Sequence, residues 1–193
     1  MQDIDLLWQQ FLEGDMQALG KIMSLYYRDL FYYGSKFSKD GDFVEDAIQD
    51  LFLGIWEKRN SINGTIPAKA YLMACLRRSM HRATKAQHRF MPASIESVDA
   101  GFELSFSVEQ SYIEQESAQH SLLQIRQSVE GLPARQKEVI YLKYFQSMDR
   151  SQISEVMGIS PQTVSNLLQM ALGQLKKHIK VEFLTLFLLH FLV

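Results

Sequence analysis

The stretch LPARQKEVIYLKYFQSMDRSQISEVMGISPQTVSNLLQMALGQLKK, from Leu132 to Lys177, decides the fold, because caps, turn residues and apolar spacing in it describe one object. Asp149 followed three residues on by Gln152 has the form of a capping box, in which each side chain satisfies a backbone N–H orphaned at a helix start. Ile153, Val156 and Met157 then fall on one face of a short helix, and Gly158 stands where a left-handed residue closes it. Ser160-Pro161 supplies an N-cap and a first-turn proline for the next helix, so the turn between the two is short. Ser154 puts a small side chain where the helices cross, and Val164, Leu167 or Leu168, Ala171 and Leu175 give the second helix its buried stripe. Pro133 opens a preceding helix whose Val139, Ile140, Leu142 and Phe145 form an apolar face. The pattern is a helix-turn-helix, a geometry in which the outward face of the second helix enters a major groove. That face carries Gln162, Thr163, Ser165, Asn166 and Gln169, all able to meet base edges.

Upstream, the spacing predicts a short amphipathic helix from Ile4 to Glu13 and a long one from Met16 to about Lys36, with Asp15 capping the second. Lys39-Asp40-Gly41 breaks the pattern, and Asp42 with Glu45 reads as the capping box of a third helix running to about Arg59. Val44, Ala47, Ile48, Leu51 and Ile55 face its core side, leaving Asp46, Gln49, Asp50, Leu53 and Glu57 outside and Trp56 at the boundary. The polar turn NSINGTIP, residues 60–67, precedes a fourth helix from about Pro67 through His88. Phe90 to about Gln110 has no helical period and reads as a linker, although Phe102, Leu104, Phe106 and Val108 alternate with polar residues. A lone strand has no pairing partner, so the expectation is an extended segment pressing its apolar side onto a helical domain or onto a partner protein. Ser111 with Glu114 starts another helix that ends at Gly131.

At 193 residues and 47% hydrophobic, the chain can bury one ordinary core or two small ones. The expected fold class is all-α: two small helical domains joined by an acidic linker, the second containing the helix-turn-helix. The expected divisions are residues 1–90, a linker of 91–110, a second domain of 111–180 and an apolar tail of 181–193. The single Cys75 permits no internal disulfide and reads as a small core residue, and no basic leader followed by an apolar run opens the chain, so a cytoplasmic location is expected. A net charge of -2 does not advertise nucleic-acid binding, so any such function rests on local patches. One exists: from Ser61 to Ile95 the chain carries Lys69, Arg77, Arg78, Arg82, Lys85 and Arg89 and no acid, after which Glu96, Asp99, Glu103, Glu109, Glu114 and Glu116 precede the next cation. No nucleophile-base pair, phosphate loop or metal constellation stands out, so neither catalysis nor a cofactor is expected. His81 and His88 lack a further metal ligand nearby. The tail VEFLTLFLLHFLV is too short to span a bilayer and is expected to form a helix that packs on protein.

The segment from Leu132 to Lys177 resembles the upstream-element-binding domain of extracytoplasmic-function bacterial sigma factors, members of the sigma-70 family, in its Leu-Pro opening, Gly-Ile-Ser turn and Thr-Val helix start. Where the family usually carries several cations, this chain has Ser165, Leu167, Met170 and Leu172. YYRDLFYYGSKF, residues 26–37, followed by VEDAIQDLFLGIWEKR, residues 44–59, resembles the other domain of these factors, whose acidic helix docks on core RNA polymerase. The resemblance implies that Asp46, Gln49 and Asp50, with Trp56 beside them, are docking residues. It implies likewise that the loop with Asn60, Ser61 and Asn63 holds a base flipped from promoter DNA beside Tyr71, while Arg77, Arg78, Arg82 and Lys85 track phosphates. Core RNA polymerase and promoter DNA are then the expected partners, with an anti-sigma factor as a candidate third. The rival is a helix-turn-helix regulator whose N-terminal helices bind a ligand or partner. A helical adaptor at the membrane surface would rest on the tail alone.

Overall fold

The computed structural model describes residues 4–88, 101–104 and 127–178. Among the described residues all regular structure is helical. They fall into two compact units, one of Met1–Val98 with Ser154–Gly158 and the other of Asp99–Ile153 with Ile159–Val193.

In the first unit, α1 (Ile4–Leu12) buries Leu7, Trp8 and Phe11, and α2 (Met16–Gly34) buries Ala18, Leu19, Ile22, Tyr26, Leu30 and Tyr33. Gly14 takes φ +100 in the turn between them, and Asp15 caps α2 by accepting the N–H groups of Gln17 at 2.7 Å and Ala18 at 3.3 Å. The third helix, α3 (Gly41–Lys58), starts differently from the expected Asp42–Glu45 box. Asp40 takes the extended N-cap backbone and its Oδ1 accepts the Phe43 N–H at 3.2 Å, which leaves Asp42 inside the first turn. A carboxylate caps only from the residue whose backbone has not yet turned helical, and here the turn begins one residue before Asp42. A single 3-10 turn, Arg59–Ser61, leads to the loop and then to α4 (Ala68–His88). Gly34 lets α2 and α3 approach closely: a Cβ there would lie 2.6 Å from Val44 Cγ1. Asp29 on α2 and Lys69 on α4 are joined by an ion pair of 2.9 Å.

In the second unit, residues 127–130 are helical, Pro133 precedes α5 (Ala134–Ile140), and a π-turn of Tyr141–Phe145 follows. The wider turn stacks Tyr141 on Phe145 with centroids 5.5 Å apart, and Gln146 Nε2 donates to the Tyr141 hydroxyl at 2.9 Å. Phe102 and Leu104 are buried in a segment without helix or strand, Phe102 packing edge-on against Tyr141 at 5.7 Å. Phe102, from the apolar side of the linker, therefore packs on a helical element. The corresponding expectations for Phe106 and Val108, for the helix from Ser111 as far as residue 126, and for the tail 181–193 lie outside the described residues. The chain continues through α6 (Arg150–Met157) and α7 (Pro161–His178). No described helix is long and apolar enough to cross a membrane.

Candidate functional site

Three surfaces gather the residues that carry chemistry. The first is the outer face of α3. Because Val44, Ala47, Ile48, Leu51, Phe52 and Ile55 turn inward, Asp46, Gln49, Asp50, Leu53 and Glu57 line up on the opposite side, all exposed. Leu53 is 65% exposed, an apolar side chain in the middle of an acidic stripe. Such a composition suits a partner surface that offers both cations and an apolar contact. Trp56 stands apart from this stripe. It is half-buried, 6.4 Å from the Phe11 ring, and covered by the Arg59 guanidinium at 4.4 Å, whose Nη1 also donates to the Trp56 carbonyl at 2.8 Å.

The second surface runs from the loop after α3 along α4. Asn60, Ser61 and Asn63 are exposed. The Ser61 hydroxyl donates to the Lys58 carbonyl at 2.8 Å, and Asn63 Oδ1 accepts from the Thr65 N–H at 3.1 Å and the Thr65 hydroxyl at 2.9 Å. Asn63 thus folds the loop with its oxygen and keeps its amino group for other partners. Tyr71 is half-buried, its ring 5.8 Å from Trp8, and burial followed by the neighbouring Cys75 pushes its phenol above the ordinary range. Cys75 is half-buried rather than core, because its Sγ accepts from Arg78 Nη2 at 3.1 Å on the solvent side of α4. Arg78 and Arg82 are exposed one turn apart, Arg77 is half-buried beside them, and Lys85 follows on the same helix. Two exposed guanidinium groups one turn apart can each donate to an anionic partner.

The third surface is the helix-turn-helix. The Asp149–Gln152 box forms in both directions: the Gln152 N–H donates to Asp149 Oδ1 at 2.8 Å and the Asp149 N–H to Gln152 Oε1 at 2.9 Å. Gly158 takes φ +62, Ser160 Oγ accepts the Thr163 N–H at 3.1 Å, and Pro161 is the first residue of α7. On α7, Val164, Ala171 and Leu175 are buried, Leu167 and Leu168 half-buried, and Gln162, Asn166, Gln169 and Met170 exposed. Thr163 and Ser165 are half-buried. Ser165 Oγ donates to the Pro161 carbonyl at 3.2 Å and accepts from Arg150 Nη1 at 3.3 Å. Arg150 is a residue that sequence reasoning missed. Its contact spans fifteen positions, a separation at which no local pattern operates.

Comparison with known proteins bears on each surface. Residues 22–90 match the family model "Sigma-70 region 2", which takes in the α3 stripe, the loop and α4. Residues 122–175 match "Sigma-70, region 4", which takes in the helix-turn-helix. The RNA polymerase sigma factor SigF of Mycobacterium tuberculosis, in strains CDC 1551 / Oshkosh and ATCC 25618 / H37Rv, is 39% identical over 56 residues, 29% of this chain. That alignment spans only 22% of the curated relative's length. Among solved structures, CnrH in complex with the cytosolic domain of CnrY superposes with a TM-score of 0.58 at 19% identity, covering 90% of this chain and 95% of that one. The sigma factor RpoE bound to the anti-sigma factor NepR from Bartonella quintana gives 0.60 at 20% identity, covering 86% and 99%. These two likenesses carry the fold.

Proposed function

Because the chain belongs to the sigma-70 family, matched by models of regions 2 and 4 that together take in more than half its length, we propose that it acts as a sigma factor of the extracytoplasmic-function type. It binds core RNA polymerase, recognises promoter DNA and directs its opening. The observation that carries this reading is the exposed stripe of Asp46, Gln49, Asp50 and Leu53 on α3, in the same chain as a helix-turn-helix whose two helices are N-capped by Asp149 and Ser160. A plain operator-binding regulator has use for the second feature and none for the first.

In this reading residues 1–90 dock on polymerase and hold the downstream promoter element, with Asn60, Ser61, Asn63 and Tyr71 around a base and Arg77, Arg78, Arg82 and Lys85 along the backbone. Residues 91–110 link to the DNA-binding part, 111–180, where Gln162, Thr163, Asn166 and Gln169 face the upstream element and Ser165 joins Arg150 to it. The work is binding rather than catalysis, done in the cytoplasm. An anti-sigma factor is a further partner, by analogy with the relative solved with NepR. The test is a pulldown of core polymerase by the full chain, followed by run-off transcription from promoters selected by the resulting holoenzyme. Absence of both association and promoter-specific transcripts rejects the reading.

A further inference from the structure

We propose that the hydrogen-bonded amide pair Gln162–Asn166 selects adenine in the upstream promoter element. This inference rests on the sigma-factor reading and names the base that the recognition helix prefers. Gln162 Nε2 donates to Asn166 Oδ1 at 3.1 Å, and both side chains are exposed in the first two turns of α7. The N-terminal residues of a recognition helix are the ones that reach base edges.

The bond uses one of the two N–H donors of Gln162 and one lone pair of Asn166 Oδ1. A carbonyl oxygen on Gln162 and an amino group on Asn166 are left for a partner. Exchanging oxygen and nitrogen in both amides reverses the bond and again leaves one carbonyl oxygen and one amino group outside it. In the major groove adenine presents the complement, the N6 donor next to the N7 acceptor. Guanine presents two acceptors, N7 and O6, whose usual reader is an arginine or lysine. From Gln162 to Leu175 helix α7 carries neither. The one cation brought to this helix from α6, Arg150, is bonded to Ser165. Pairing also holds both side chains in one arrangement before DNA arrives, which reduces the entropy lost on binding.

The experiment assembles the full chain with core RNA polymerase, selects from a duplex promoter library randomised across the upstream element, and sequences what is retained. The expected result is adenine favoured over guanine by about tenfold or more at one or two adjacent positions. Gln162→Ala and Asn166→Ala should each flatten that preference and leave the rest of the element unchanged, with circular dichroism showing an intact fold. Asn166→Arg should move the preference toward guanine. Guanine selected by the parent at the positions these variants alter, or an adenine preference that neither alanine variant alters, overturns the assignment and leaves the sigma-factor reading standing. A holoenzyme that enriches no upstream sequence overturns the sigma-factor reading, and the assignment with it.

Discussion

Arg150 on α6 reaches the recognition helix, its Nη1 donating to the Ser165 hydroxyl at 3.3 Å. This contact supplies a cation to a helix that has none of its own before Lys176. In the sigma-factor reading proposed above, the consequence expected of this contact is in DNA binding. Arg150→Ala should keep the fold, weaken promoter binding by the holoenzyme, and reduce the slope of log affinity against log salt by about one. An unchanged slope, measured by fluorescence anisotropy across a salt series, would show that Arg150 touches no phosphate. The parent's slope should itself be shallow for a helix-turn-helix, since Gln162, Asn166 and Gln169 occupy the exposed face.

Asp46 and Asp50 lie one turn apart in the exposed acidic stripe of α3. Reversing both to Lys leaves the buried face of the helix untouched, so the melting temperature should barely move. Association with core polymerase should fall by at least about thirtyfold, the loss expected when the centre of an interface is reversed. Binding within a factor of two or so of the parent's would remove these carboxylates from the interface.

Two glycines of α2 should respond in opposite directions. A Cβ at Gly34 would meet Val44 Cγ1 at 2.6 Å, whereas one at Gly20 meets nothing within 4 Å. Gly34→Ala should destabilise by about 1–3 kcal/mol through overpacking. Gly20→Ala, in an exposed helix interior, should stabilise by about 0.5–1 kcal/mol by removing backbone freedom from the unfolded chain. Urea denaturation of the two variants separates the effects.

Phe102 is buried against Tyr141 although it belongs to a segment without helix or strand. Phe102→Ala should cost about 1.5–3 kcal/mol of the docking of this segment. Limited proteolysis should then cut near Glu103 at lower protease concentrations than in the parent.

Burial lowers the Lys36 ammonium below its ordinary value of 10.5. In the window just below 10.5 the unfolded chain therefore binds more protons than the folded one, and the contribution of this residue to stability rises with pH. At neutral pH the desolvation penalty is fully in force. Lys36→Met should accordingly raise the urea midpoint at neutral pH, and its advantage should shrink as pH rises toward that value. An advantage independent of pH would assign the gain to packing alone.

The sequence by itself determined the helices, the Asp15, Asp149 and Ser160 caps, the Gly158 turn and the two faces of α3. Each is encoded in hydrogen bonds or apolar spacing that reach only three or four residues along the chain. The family likeness was legible for the same reason, since its motifs are short and contiguous. Local pattern already failed at the start of α3, where two aspartates competed and the backbone turned at Gly41, giving the cap to Asp40. Tertiary structure alone decided what the side chains do across elements: Phe102 on Tyr141, and Arg150 at Ser165. It also placed Gln136 and Glu138, polar by type, in the interior of the second unit. These outcomes depend on how helix faces meet in space, and neither periodicity nor composition carries that information.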